Sequence, residues 1–308
     1  MLIELLSQRL LLPEKYISNL AAGASHHYKT YYVSKRRGGA RLIEHPSKQL
    51  KAVQRWLAAN IICHFPVHAA ATAYKSGVNI ADNARRHASS SFLVRIDLQD
   101  FFPSLRAVDV KRLAETSLVF VPGGGQWSSD NIDVFVCLSC KDGRLTIGAP
   151  TSPPLCNALC YHLDLQLTAF AQQRELTYSR YADDLVFSAR APDQLRGVPA
   201  QVAATLENLE VPRGLKINTS KTWHASRRGR RKLTGVVITS DGKLSVGRQL
   251  KRRLRTLVYR HYTLDKTQKK NLARWLAHVR SIEPEFINSL ILKYGADRVV
   301  DAMQPHSG

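Results

Sequence analysis

Residues 176–189, LTYSRYADDLVFSA, decide the fold. Both arms are rich in Thr, Tyr, Val and Phe, which favour strands. Between them Asp183 and Asp184 sit where a turn is expected, since Asp tolerates turn geometry. The spacing therefore predicts strand–turn–strand with two adjacent carboxylates at the bend. Neighbouring like charges repel, so a hairpin gains nothing from the second unless cations stand nearby. A second stretch, FLVRIDL at 92–98, reads as a buried strand. Phe92, Val94, Ile96 and Leu98 share one face, and Leu93, Arg95 and Asp97 share the other. Asp97 closes that strand, where a charge must leave the core or find a partner. With the two strands as neighbours, Asp97 and Asp183 face a common point, and hard oxygen donors of this kind suit Mg²⁺ or Mn²⁺. Two such ions would clamp the attacking and leaving oxygens of an in-line phosphoryl transfer.

The rest of the composition fits that chemistry. The 308-residue chain carries 45 Lys+Arg against 24 Asp+Glu, a formal net charge of +21. The excess argues for a polyanionic partner, because each neutralised phosphate releases condensed counterions. With 44 % hydrophobic and 22 % charged residues, neither a disordered chain nor a fibre is expected. The length suits one large domain or two medium ones. No run of 18 apolar residues exists, which excludes a membrane-spanning helix. The apolar N-terminus, MLIELLSQRLLLPEKY, is interrupted by Glu4 and Arg9 and reads as an amphipathic helix closed by Pro13, not a signal peptide. A cytoplasmic protein without a membrane partner is expected. Cys137-x2-Cys140 and Cys156-x3-Cys160 have zinc-like spacing. Cys156 and Cys160 fall one turn apart on an apolar helix, however, where thiols pack as small hydrophobes, so core packing is the expectation.

Elsewhere the pattern predicts helix over 1–25, a hairpin over 28–45 around Gly38-Gly39, and a helix after Pro46 with Leu50, Val53, Trp56, Leu57 and Ile61 on one stripe. A helix over 79–88 follows. One long helix is expected over 152–171, with Pro153 and Pro154 in its first turn, where a missing N–H costs nothing. A helix over 199–209, a short strand at 215–218, a hairpin over 233–246 and helices near 247–262 and 266–281 complete the reading. Residues 241–308 are basic in their own right, with 14 Lys+Arg and 6 Asp+Glu.

The motifs carry a family resemblance. Tyr181-Ala182-Asp183-Asp184 resembles the YxDD box of reverse transcriptases. RIDLQDFFPSL (95–105) resembles the first palm motif, GAPTSPPLCNALC (148–160) the substrate-pocket motif, and GLKINTSKT (214–222) the next palm motif. Asn83-Ala84-Arg85-Arg86-His87 is similar to the NAxxH element of retron reverse transcriptases, and Leu233-Thr234-Gly235 to their VTG element. The order and spacing match from about residue 28 to at least 262.

The resemblance implies an α+β right-hand polymerase fold. Fingers would cover 1–90, a palm with an antiparallel sheet and the catalytic residues 91–240, and a basic helical thumb 241–308. It implies a catalytic metal site of Asp97, Asp183 and Asp184 for two Mg²⁺ (or Mn²⁺) ions, with Asp97 and Asp183 as direct ligands and Asp184 contributing mainly charge. Phe102 stands where the family places an aromatic under the sugar of an incoming dNTP, against a 2′-OH. Gly148, Ala149 and Pro150 would form a side-chain-poor loop letting backbone approach a base pair, although Ile147 replaces the family's usual Gln. Lys35 and Arg41, flanking the hairpin turn, would hold the triphosphate, and Lys221 would protonate the departing pyrophosphate. Asn83 and His87 would position template RNA, and Thr234 and Gly235 would lie against the RNA–DNA product. Arg227, Arg228, Arg230 and Arg231 would contact phosphates, as would Arg248, Lys251, Arg252 and Arg255 on the thumb helix.

The implied activity is RNA-directed DNA synthesis on a dedicated noncoding RNA (msr-msd). Priming from a guanosine 2′-OH would yield branched msDNA, acting in antiphage defence with a separate effector or toxin protein. The alternatives are a group II intron-like, diversity-generating or abortive-infection reverse transcriptase, opposed by the NAxxH-like and LTG elements, and a non-catalytic RNA-binding protein, opposed by the intact aspartates. No RNase H motif is evident, so template removal is expected to need another enzyme.

Overall fold

The computed structural model describes residues 1–34 and 38–304. The chain falls into two compact units, each made from discontinuous stretches. The first comprises residues 1–78, 94–187 and 194–223, and the second 79–93, 188–193 and the chain from 224 onward. No described helix is long and apolar enough to cross a membrane.

In the first unit, β1 (Tyr28–Ser34) and β2 (Ala40–Pro46) form an antiparallel hairpin in register from Tyr28↔Pro46 to Ser34↔Ala40. The main sheet has the order β4-β5-β3-β6, with β3 at Phe92–Leu98, β4 at Thr177–Tyr181, β5 at Asp184–Ala189 and β6 at Ile217–Ser226. β3 runs antiparallel to β5, since Leu98 N–H donates to the Asp183 carbonyl at 2.9 Å and Ser91 N–H to the Ala189 carbonyl at 2.9 Å. The predicted strand–turn–strand and the buried strand are thus neighbours. β3 is buried as expected: Leu93 and Asp97 are as enclosed as Val94 and Ile96, and Phe92 and Arg95 are half-buried. The strand expected at 215–218 begins at Ile217 and continues to Ser226.

The helix expected over 152–171 is two helices, Ser152–Leu159 and Tyr161–Gln173, separated at Cys160 with ψ 10°. Neither Gly nor Pro marks the break, so the sequence carries no signal for it. Cys140, Cys156 and Cys160 are buried, and burial pushes each thiol well above its ordinary range, while Cys137 is exposed. Those three buried thiols pack as core residues, whereas Cys63, like Cys137, is exposed.

The break lets both short helices address β4. Arg180 is fully buried, and its Nε donates to Asp164 Oδ1 at 2.9 Å and its Nη2 to Asp164 Oδ2 at 2.7 Å. Tyr178 OH donates to the same carboxylate at 2.8 Å. Arg180 Nη1 reaches Asn157 Oδ1 at 3.2 Å, and Asn157 Nδ2 donates to the Ala73 carbonyl at 2.7 Å. Residues 70–73 also follow β4, with Arg180 N–H donating to the Ala70 carbonyl at 2.8 Å and Thr72 N–H to the Arg180 carbonyl at 2.8 Å.

In the second unit, the Ile80–Arg86 helix starts with a reciprocal cap between Asn79 and Asp82. The hairpin expected over 233–246 is an antiparallel three-stranded sheet of β7 (Arg231–Leu233), β8 (Val236–Ile238) and β9 (Leu244–Ser245). Helices Arg248–Tyr259 and Lys266–Ile282 match the expected pair, and two unpredicted ones follow at Pro284–Tyr294 and Ala296–Met303. The four share a core of residues that includes Leu254, Leu276, Leu290 and Val299.

Removing one partner of a buried ion pair costs about 3–5 kcal/mol, whereas an apolar replacement of both is often neutral. Asp164→Ala, which strands Arg180, is expected to lose that amount in urea unfolding, and Asp164→Leu/Arg180→Met to recover most of it.

Candidate active site

The Asp183-Asp184 bend is tight. Ala182 has φ 55°, a left-handed conformation that costs a non-glycine residue energy and that a small side chain tolerates best. Asp184 opens β5 and is buried; Asp183 is half-buried. Arg95, in the middle of β3, donates to Asp184 Oδ1 from Nε at 2.8 Å and from Nη2 at 2.5 Å. Asp97, also buried, accepts from Lys221 Nζ of β6 at 2.8 Å. Burial pushes the Asp184 carboxyl up to about 6 against the pull of Arg95, with Asp183 and Asp97 adding to the rise. Burial also raises Asp183, and Asp97 is the next cause. The three aspartates therefore share one electrostatic neighbourhood. Among the described residues, no three His, Cys, Asp or Glu side chains converge as a ligand set, since Asp184 and Asp97 are turned to Arg95 and Lys221. Asp97 and Asp183 still present mutually repelling oxygens at one place, which is the donor chemistry a hard divalent cation relieves.

Beside this centre, β2 docks on the 148–150 loop. Glu44 N–H donates to the Ile147 carbonyl at 2.9 Å. Gly148 has φ +128°, and a Cβ there would lie 2.6 Å from the Glu44 carbonyl oxygen. The missing side chain of Gly148 thus makes room for the β2 backbone. Ala149 is buried and Pro150 half-buried. The Glu44 side chain is itself buried and paired with Lys141 at 2.8 Å. Arg41 is exposed, two residues before Ile43 and so on the same strand face, and the Ile43 side chain lies beside Gly148. Lys35 lies outside the described residues. Phe102 is half-buried, its ring 5.6 Å from that of buried Phe101 and 6.4 Å from that of Tyr74. Burial pushes the Tyr74 phenol up to about 12, with Cys156 and Asp183 adding to the rise and Arg41 opposing it.

Residues expected to touch nucleic acid divide sharply. Asn83 and His87 are fully buried in the second unit. His87 Nδ1 lies 2.7 Å from Ser188 Oγ, and burial pushes the imidazole down to about 3, so it stays neutral. Arg231 is buried too, its guanidinium donating to the Ser90 and Thr239 carbonyls. These three are interior groups, and their expected RNA contacts are corrected accordingly. Lys251 is half-buried and paired with Glu283. Arg227, Arg228, Arg230, Arg248, Arg252 and Arg255 are exposed. Arg227 gives one N–H to the Ser89 carbonyl at 2.9 Å, and Arg255 lies 5.2 Å over the Phe286 ring. Thr234 (φ 46°) and Gly235 (φ 99°) form a bend between β7 and β8, half-buried and exposed respectively.

Sequence reasoning missed Arg95, Glu44 and the Arg180–Asp164 pair. The available signal was a charged residue inside an apolar strand, which requires a buried partner.

Residues 33–238 match the family model described as reverse transcriptase (RNA-dependent DNA polymerase). The chain is 33 % identical over 277 residues to the retron Ec83 reverse transcriptase of Escherichia coli, covering 89 % of this chain and 88 % of that one. It is 34 % identical over 253 residues to the retron Mx162 reverse transcriptase of Myxococcus xanthus, covering 76 % and 52 %. Among solved structures, an apo telomerase from Candida tropicalis truncated from its C-terminal domain superposes with a TM-score of 0.50 at 14 % identity, over 75 % of this chain and 58 % of that one. That likeness places the fold among right-hand polymerases.

The raised Asp184 carboxyl sets a pH dependence. Between its ordinary value of 3.8 and about 6, the native state binds the proton more tightly than the unfolded chain. Stability therefore falls as pH rises through that window, and a cost of about 2–3 kcal/mol is fully present above it. Asp184→Asn is expected to be more stable than the parent at pH 7.5, by up to that amount less the lost Arg95 contact, with the gain vanishing near pH 4 in metal-free thermal melts.

Proposed function

The chain belongs to the reverse transcriptase family, in its retron branch, and we propose that it copies part of a dedicated noncoding RNA (msr-msd) into branched msDNA primed from a 2′-OH. Its activity is that of an RNA-directed DNA polymerase with an RNA template as partner. The proposal extends to a cytoplasmic role in antiphage defence with a separate effector protein. The observation that carries the catalytic reading is the meeting of Asp97 and Asp183 at the ends of adjacent antiparallel strands, where Leu98 N–H bonds the Asp183 carbonyl at 2.9 Å.

In this reading Asp97 and Asp183 hold two Mg²⁺ ions (or Mn²⁺), and Asp184 adds negative charge from the Arg95 side. The family is generally divalent-metal dependent; the ions supply Lewis acidity for the primer hydroxyl and the triphosphate. Lys221, beside Asp97, is positioned to protonate the leaving pyrophosphate. Arg41 takes triphosphate oxygens, and the family resemblance assigns Lys35 the same task. Phe102 lies under the sugar of the dNTP and excludes a 2′-OH by contact. Gly148, Ala149 and Pro150 form the pocket floor. The exposed Arg227, Arg228, Arg230, Arg248, Arg252 and Arg255 hold duplex phosphates without reading sequence, and Thr234-Gly235 lies against that duplex.

On poly-rA/oligo-dT the purified protein is expected to extend the primer, and Asp183→Asn/Asp184→Asn to lose at least a thousandfold in rate. Nucleic acid copurifying with it should contain a 2′-branched RNA–DNA hybrid; unbranched cDNA alone would point to another bacterial reverse transcriptase. Phe102→Ala is expected to raise incorporation of ribonucleotides relative to dNTPs at least tenfold, and an unchanged ratio would remove Phe102 from the sugar contact.

A further inference from the structure

Tyr74 stands out among the aromatic residues. It has φ +57°, a left-handed backbone conformation that bulky side chains rarely adopt, and its side chain is half exposed. Such strain persists only where the surroundings over-determine it, and it concentrates at functional sites. The surroundings here do so. Residues 70–73 are hydrogen-bonded to Arg180 on β4, and the Ala73 carbonyl accepts from the buried Asn157 side chain at 2.7 Å. Asn157 is itself held by Arg180, whose other end is locked to Asp164. A backbone clamped up to residue 73 leaves Tyr74 little choice of direction. Its ring stands 6.4 Å from Phe102 at an interplanar angle of 53°, and Asp183 and Arg41 both act on its phenol. The core gains little from an aromatic ring that remains half in water.

We propose that Tyr74 is a second aromatic contact of the nucleotide pocket, packing on the incoming dNTP beside Phe102, and that Asn157 is the positioning residue that holds it there. This rests on the functional reading above and adds a specificity contact to it. The ring would supply apolar and π contact to any base, so the effect should fall on nucleotide affinity and not on the chemical step.

Tyr74→Gly separates this role from a structural one, because glycine adopts φ +57° without strain and should leave the melting temperature unchanged or higher. In single-nucleotide incorporation, Tyr74→Gly is expected to raise KM for dATP about tenfold with kcat within threefold, while Tyr74→Phe keeps the parental KM. Asn157→Ala should raise KM similarly, and combining it with Tyr74→Gly should add little, since both remove one contact. An unchanged KM in Tyr74→Gly overturns the proposal, as does a fall in melting temperature with kcat and KM both impaired. Additive effects of the two changes overturn the positioning role of Asn157. Wild-type protein that extends no primer breaks the functional reading instead, and equilibrium dATP binding by the same variants then decides the pocket.

Discussion

Three carboxylates held together in a half-dry place form the constraint on which the rest depends. Asp97, Asp183 and Asp184 come from a strand end and a turn; Asp97 raises the cost of ionising Asp183, and both raise that of Asp184. Two cations of the chain offset this incompletely. Lys221 is mostly exposed, so water screens its attraction for Asp97. Arg95 is less exposed and grips Asp184 through two N–H groups, yet burial outweighs it and the carboxyl still rises to about 6. The site is therefore short of positive charge as folded, a deficit that the divalent ions proposed above would make good.

Such a charge cluster needs a frame that does not yield to it. Two buried ion pairs brace the strands around it. Arg180 precedes the bend by two residues and is locked to Asp164, so β4 delivers Tyr181 and Ala182 from a fixed position. Glu44, paired with Lys141, lies where β2 crosses Gly148, and that crossing sets how Arg41 is presented beside the pocket loop. Buried pairs of this kind add little net stability over apolar packing. Their value here is directional, since each ties a helix or loop to the strand that carries a reacting group.

The carboxylate centre was legible because its signals are local: strand formers around a two-Asp bend, and an aspartate closing an apolar strand. The sheet order β4-β5-β3-β6 was not legible beyond the antiparallel sheet that the family motifs imply, because strand pairing is long-range. The break at Cys160 left no trace, because neither Gly nor Pro stands there. The two last helices escaped for a related reason: their apolar stripes are short and gain meaning only from the shared four-helix core. Gly148 was correctly singled out as needing to be bare, but what approaches it is backbone from β2, a long-range fact no local pattern encodes. Tyr74 carried no motif of its own, and its interest arises from a backbone angle that sequence does not display.

Net charge was the least specific signal, and the structure refines it. A chain with +21 invites the assumption that every arginine near a motif faces phosphate. Arg95, Arg180 and Arg231 instead satisfy buried acceptors, and Lys141 and Lys251 neutralise Glu44 and Glu283. His87 and Asn83, though part of a recognisable element, are enclosed completely within their own unit, His87 against Ser188. Arg228, Arg230, Arg248 and Arg252, by contrast, are exposed and form no ion pair among the described residues. An unpaired exposed guanidinium keeps its five donors free for phosphate, whereas a buried one has already exchanged water for carbonyls. The phosphate contacts proposed above therefore draw on this exposed subset, while the buried cations serve the fold.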